Sequence, residues 1–161
     1  MFPHLSILIF TFNIFYFLSI YIMEYSIDVN YGRENELLVY NLLILFFPNE
    51  KIKELSYYDE FDYSNEDGSI LCELKSRRCS YSEYNETLLN CSKLNKCKRL
   101  IKNKQKKIDI YFFFFFKQSQ LYYWKYDEHA DIRYSNGGRI DRPNAIMKYA
   151  YLNRNLLTKV E

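Results

Sequence analysis

Residues 108 to 116 read IDIYFFFFF, and this run limits the fold more than any other stretch of the chain. In a strand, side chains alternate between two faces, so five consecutive phenylalanines leave neither face polar. Such a strand needs cover on both sides, and left exposed it would aggregate. The run therefore predicts a buried central strand. "QLYYWKY", 120 to 126, predicts a partner strand pairing back across a short turn. A chain of 161 residues is long enough to build one domain with a core around such a strand.

The flanking segments supply the cover. "GRENELLVYNLLILFF", 32 to 47, predicts a helix, with dense leucine, acids in its first turn and Pro48 just past its end. Residues 55 to 62 and 69 to 75 predict two strands around the turn Asn65-Glu66-Asp67-Gly68. In the second strand, Ile70, Cys72 and Leu74 share one face, and Leu71, Glu73 and Lys75 share the other. Residues 83 to 103 predict a second helix, with Thr87, Cys91, Leu94, Cys97 and Ile101 toward a core and Lys93, Lys96, Arg99 and Lys102 on other sides. "DIRY" and "GRID" flank a predicted turn at Ser135-Asn136-Gly137-Gly138, and 145 to 157 suits either strand or helix. The order predicts an α/β chain of the α+β kind, a mixed central sheet flanked by helices.

Residues 1 to 22 contain no Lys, Arg, Asp or Glu and are long enough, as an apolar helix, to cross a bilayer. They lack the basic start and small-residue cleavage site of a signal peptide. Two expectations follow: an N-terminal membrane anchor, or a functional chain starting at Met23 after translated upstream sequence. The second is preferred, because 23 to 161 reads as a complete soluble domain.

Net charge is only +2, but it is unevenly spread. Residues 93 to 107 carry eight Lys or Arg and no acid, while 54 to 67 is acidic. One region invites a polyanion, and the other can hold a cation. Cys72, Cys79, Cys91 and Cys97 fit neither a zinc knuckle nor a secreted disulfide scaffold, so free thiols in a reducing intracellular compartment (cytoplasm, nucleus or viral factory) are expected. His4 and His129 are too few and too far apart for a catalytic pair. No Gly-rich phosphate loop and no Ser-His-Asp order is present.

The acids that stand out are Asp62 and Glu73, the latter in the triplet Glu73-Leu74-Lys75. A magnesium ion takes hard oxygen ligands, usually one or two carboxylates with waters and substrate phosphate. Neighbouring strands would bring Asp62 and Glu73 together, and Lys75 shares the face of Glu73. A lysine beside a metal assists water attack or offsets charge on a phosphate. The plain alternative is a solvated hairpin with an ordinary ion pair.

Residues 31 to 126 resemble the PD-(D/E)xK nuclease superfamily, the restriction-endonuclease-like fold. The resemblance rests on "YGRENELL" as the acidic helix start, Asp62 as the first strand acid, Glu73-Leu74-Lys75 as the triplet and Lys93 in "NCSKL" as the later helical position. Phe61 stands where many members have proline. The helix start looks most like small Holliday-junction resolvases and their viral relatives, and the 61 to 78 block looks like nuclease-like proteins of large DNA viruses.

The resemblance implies a Mg2+-dependent endodeoxyribonuclease, with Mn2+ as a substitute. Asp62, Glu73 and the Leu74 carbonyl would hold the metal. Glu36, chosen over Glu34, with Lys75 and Lys93 would complete the catalytic set. Arg77, Arg78, Lys93, Lys96 and Arg99 would contact DNA, and a homodimer would suit a resolvase. Two other readings are a silent DNA-binding module with the same fold and a membrane-anchored interaction protein.

Overall fold

The computed structural model describes residues 30–103, 107–137 and 147–161. The apolar segment 1–22, with the helix and anchor expected there, lies outside them, and so does the "GRID" segment. No helix among the described residues is long and apolar enough to cross a membrane. The chain divides into two compact units, Met1–Leu38 and Val39–Glu161. Helix α1, residues 30–46, contributes its first half to one unit and its second half to the other.

The second unit is a mixed α+β structure built on two sheets. Its strands are β1 (Ile52–Glu54), β2 (Tyr63–Asn65), β3 (Ile70–Ser76), β4 (Glu86–Asn90), β5 (Asp109–Phe116), β6 (Gln120–Lys125), β7 (Arg133–Gly137), β8 (Met147–Asn153) and β9 (Thr158–Lys159), with helix α2 at Cys91–Asn103. The larger sheet runs β1-β2-β3-β5-β6-β9 and the smaller β4-β8-β7. β3 and β5 pair in parallel, while β5 and β6 pair antiparallel across the short turn the sequence predicts.

The phenylalanine run lies in the middle of the larger sheet, covered on both faces. Phe112, Phe114 and Phe116 pack on one side with Leu71, Trp124 and, from α2, Leu94 and Cys97. Leu89, Ala150 and Leu152 of the smaller sheet join them. Phe113 and Phe115 pack on the other side with Cys72, Leu74 and the α1 residues Val39 and Leu43. Each buried phenylalanine stabilises the fold by roughly 1.5–3 kcal/mol relative to exposure.

Three local expectations are corrected. Residues 55 to 62 are not a strand: Asp59 accepts from the Ser56 N–H at 2.7 Å and donates its own N–H to the Ser56 carbonyl at 2.9 Å. That local turn competes with sheet pairing, and the strands lie either side of it. Residues 83 to 103 are not one helix. Thr87 and Leu89 are buried while Glu86, Leu88 and Asn90 alternate with them, which is strand periodicity, and the helix begins only at Cys91. Asn90 caps it, its side-chain oxygen accepting from the Ser92 N–H at 2.9 Å. Ser135-Asn136-Gly137 is not a turn but the end of β7, paired with Tyr149, Lys148 and Met147. The open segment from 145 resolves as strand from Met147.

Candidate active site

The β2–β3 hairpin sets the register of the site. Gly68 has φ +69°, a left-handed conformation that glycine adopts without strain, and its N–H donates to the Asn65 carbonyl at 3.2 Å. The buried Asn65 side chain locks the turn: its oxygen accepts from the Ile70 N–H at 2.9 Å and its nitrogen donates to Glu50 Oε2 at 2.7 Å. Tyr63 pairs with Cys72, which sets Asp62 level with Glu73. The Asp62 N–H donates to the Cys72 carbonyl at 3.0 Å.

Asp62 is half-buried, and its Oδ2 accepts from the Leu74 N–H at 2.6 Å. The N–H and C=O of one strand residue point to the same edge, so the Leu74 carbonyl also faces Asp62's side of β3. Burial, and then the charge of Glu73, push the Asp62 carboxyl up to about 6, against the pull of the Leu74 N–H, Lys75 and Lys93. Asp62 thus keeps its proton to a higher pH than an ordinary aspartate does.

Glu73 is only 3% exposed, yet both its oxygens are paired. Lys75 Nζ lies 2.5 Å from Oε1, and Lys93 Nζ, reaching from α2, lies 2.8 Å from Oε2. Lys93 also donates to the Glu60 carbonyl and sits 5.2 Å from the centroid of the Phe61 ring. A buried charge needs such partners, because an unpaired carboxylate out of water costs several kcal/mol. Asp62, Glu73, Lys75 and Lys93 thus come together on the α2 side of β3.

Glu36 is half-buried and Glu34 exposed, both in the unit that ends at Leu38. Arg77 is engaged with β4: its Nε donates to Thr87 Oγ1 at 3.1 Å, its Nη2 to the Leu88 carbonyl, and its guanidinium lies 5.7 Å from the Phe114 ring centroid. Lys96 pairs with the Glu60 carboxylate, while Arg78 and Arg99 are exposed. Sequence reasoning missed Glu60 and Phe61 as partners of Lys93. The adjacency of both to Asp62 was the available signal.

The donor set suits a hard divalent ion: the Glu73 carboxylate on β3, the Asp62 carboxylate just before β2, and a β3 carbonyl beside them. Among the described residues, no three of His, Cys, Asp and Glu converge, so any further ligands would be oxygens of water or substrate. All four cysteines are free, and burial pushes the Cys97 thiol up to about 12, which disfavours its reactive thiolate form. No family model, no curated protein and no solved structure matches this chain.

Proposed function

We propose that this chain is a divalent-metal-dependent nuclease that hydrolyses DNA phosphodiester bonds, on the pattern of the PD-(D/E)xK superfamily it resembles. One observation carries the reading. Asp62 is pinned by the Leu74 N–H beside a buried Glu73, and Glu73 is gripped by Lys75 and Lys93. Chance ion pairs on a hairpin are exposed and single, whereas here a buried Glu73 is held by two bases beside a second, half-buried acid.

Asp62, Glu73 and the Leu74 carbonyl would hold Mg2+ or Mn2+. When bound, the ion would polarise the phosphate and make a water more acidic. The chain's own groups divide the remaining work. Lys75 presents an ammonium at the open side of the site, 32% exposed, where it would offset the charge that builds on phosphate oxygens as water attacks and the P–O bond breaks. Lys93 would hold the Glu73 carboxylate in place from α2. The exposed Lys98, Arg99 and Lys102 of α2 would attract the nucleic-acid backbone.

A second reading, a module that binds DNA without cutting it, is favoured by one feature. Both Glu73 oxygens already have lysine partners, so an ion has to compete for them. One experiment separates the two. The full chain is incubated with labelled duplex, junction and single-stranded DNA, with Mg2+, with Mn2+ and with EDTA. The nuclease reading requires divalent-dependent cleavage that Glu73→Gln lowers by several orders of magnitude while DNA binding in EDTA survives. Binding without any cleavage by wild type would give the module reading instead.

A further inference from the structure

β3 leads out of the candidate site into an open groove of about 630 Å3, lined by residues that include Arg77, Tyr84, Asn85, Glu86, Tyr151 and Asn153. Arg77 follows Lys75 by two residues, about 6.6 Å at strand rise. The groove therefore begins next to the place where a phosphate would meet Lys75.

Its walls are flat and its charges are arranged. Tyr84, on the connection between β3 and β4, is 60% exposed. Tyr151, on β8, carries the Arg133 guanidinium 3.8 Å from its ring centroid. Glu86 does not stand against a polyanion uncompensated, because Arg133 pairs with it through two bonds of 2.6 and 3.2 Å. Arg77 is fixed at the floor by Thr87 and Leu88, so its positive charge is pre-positioned. Arg78 is exposed on the same connection, and Asn85 and Asn153 are exposed residues of the lining, the Asn153 side-chain oxygen accepting from the Asn155 N–H at 2.9 Å. Glu83, whose side chain hydrogen-bonds Tyr84, is an acid that opposes this balance.

Aromatic rings and guanidinium planes with nearby amides are the groups that take up an unstacked nucleobase. A duplex keeps its bases stacked inside and cannot offer one to a groove. We propose that this groove holds an unstacked nucleotide from a single-stranded stretch adjoining the phosphate at Lys75. The substrate class is then nucleic acid with an unpaired segment, such as a flap or an open branch. This rests on the phosphodiester reading only for the phosphate at Lys75; the groove itself is tested without cleavage.

The test uses the full chain in EDTA, with fluorescein-labelled oligo-dT and a blunt duplex of equal length, read by fluorescence anisotropy. Oligo-dT should bind more tightly than duplex. Tyr84→Ala should weaken oligo-dT binding roughly tenfold and leave duplex binding within about twofold, since one base–aromatic stack is worth this much. Tyr84→Phe should keep wild-type affinity. Ultraviolet cross-linking of oligo-dT to wild type should map to Tyr84 or Tyr151. The proposal is overturned if Tyr84→Ala leaves oligo-dT binding intact, if it weakens both ligands equally, or if the cross-links map to other residues. Tyr84-dependent binding by a chain that never cleaves DNA would refute the nuclease reading and keep the groove. Cleavage with Tyr84-independent binding would do the reverse.

Discussion

Asp62→Asn should make the metal-free protein more stable at pH 8. The carboxyl has a folded pKa of about 6 against 3.8 unfolded, chiefly because burial disfavours its charge. At about 1.4 kcal/mol per pKa unit, the difference of about 2.2 units is worth about 3 kcal/mol. The fold holds on to a proton that the unfolded chain releases. Wild type therefore loses stability as pH rises from about 4 through about 6, and the loss is complete above that range. Well below pH 3.8 both states are protonated and the contribution vanishes. Asparagine keeps an oxygen for the Leu74 N–H but has no charge to desolvate. Urea melts in EDTA at pH 4, 5, 6, 7 and 8 should show a gap between variant and wild type that opens with pH toward about 3 kcal/mol. Added Mn2+ should then stabilise wild type and leave the variant unchanged, because a ligand that binds only the native state adds to its stability. A variant no more stable than wild type at pH 8, or a gap constant with pH, would refute the electrostatic account of this site.

Lys93→Met should raise Mn2+ affinity about tenfold in calorimetry, by freeing one oxygen of Glu73, and should cost the metal-free fold about 1.5–3 kcal/mol in urea melts, the worth of a charged hydrogen bond. The triple change Lys98→Gln, Arg99→Gln and Lys102→Gln should weaken duplex binding for every sequence alike and reduce the slope of log affinity against log salt by at most about 2.7, since each phosphate contact contributes roughly 0.9. Gly68→Ala should destabilise the fold by about 1–2 kcal/mol in thermal or urea melts, because φ of +69° crowds any Cβ. Phe113→Ala, which empties the middle of the larger sheet, should cost about 3–5 kcal/mol by the same measurement.

What the sequence made legible was whatever a short window specifies. The Phe112–Phe116 run demanded cover on both faces and has it, and the Asn65–Gly68 turn is where its residue types placed it. The facing of Glu73 with Lys75, opposite Cys72 and Leu74, follows from strand alternation alone. What the sequence hid depends on competition between windows. "ETLLN" before "CSKL" suits a helix by composition, but Thr87 and Leu89 bury themselves against the Phe112 side of the core only as a strand. The Tyr57-Tyr58 pair looks like strand and is instead left in solvent, because the Ser56–Asp59 turn satisfies its own backbone. Lys93 could be nominated by position, but its grip on Glu73 is a contact between elements twenty residues apart.

β3 shows why site and fold cannot vary separately here. The side chain of Leu74 fills the core beside Val39 and Leu43, while its N–H orients Asp62. A slip of one residue in the β2–β3 register would turn Glu73 and Lys75 into that apolar cluster and bring Cys72 and Leu74 to the α2 side. The buried phenylalanines do not prevent this alone, since β5 is apolar on both faces and would accept either side of β3. What holds the register is polar: the Asn65 amide on Ile70 and Glu50, the left-handed Gly68, and the ion pairs of Glu73, which have no counterpart in a slipped strand. The charged cluster that burial makes costly is thus also the feature that makes the strand's two faces unequal.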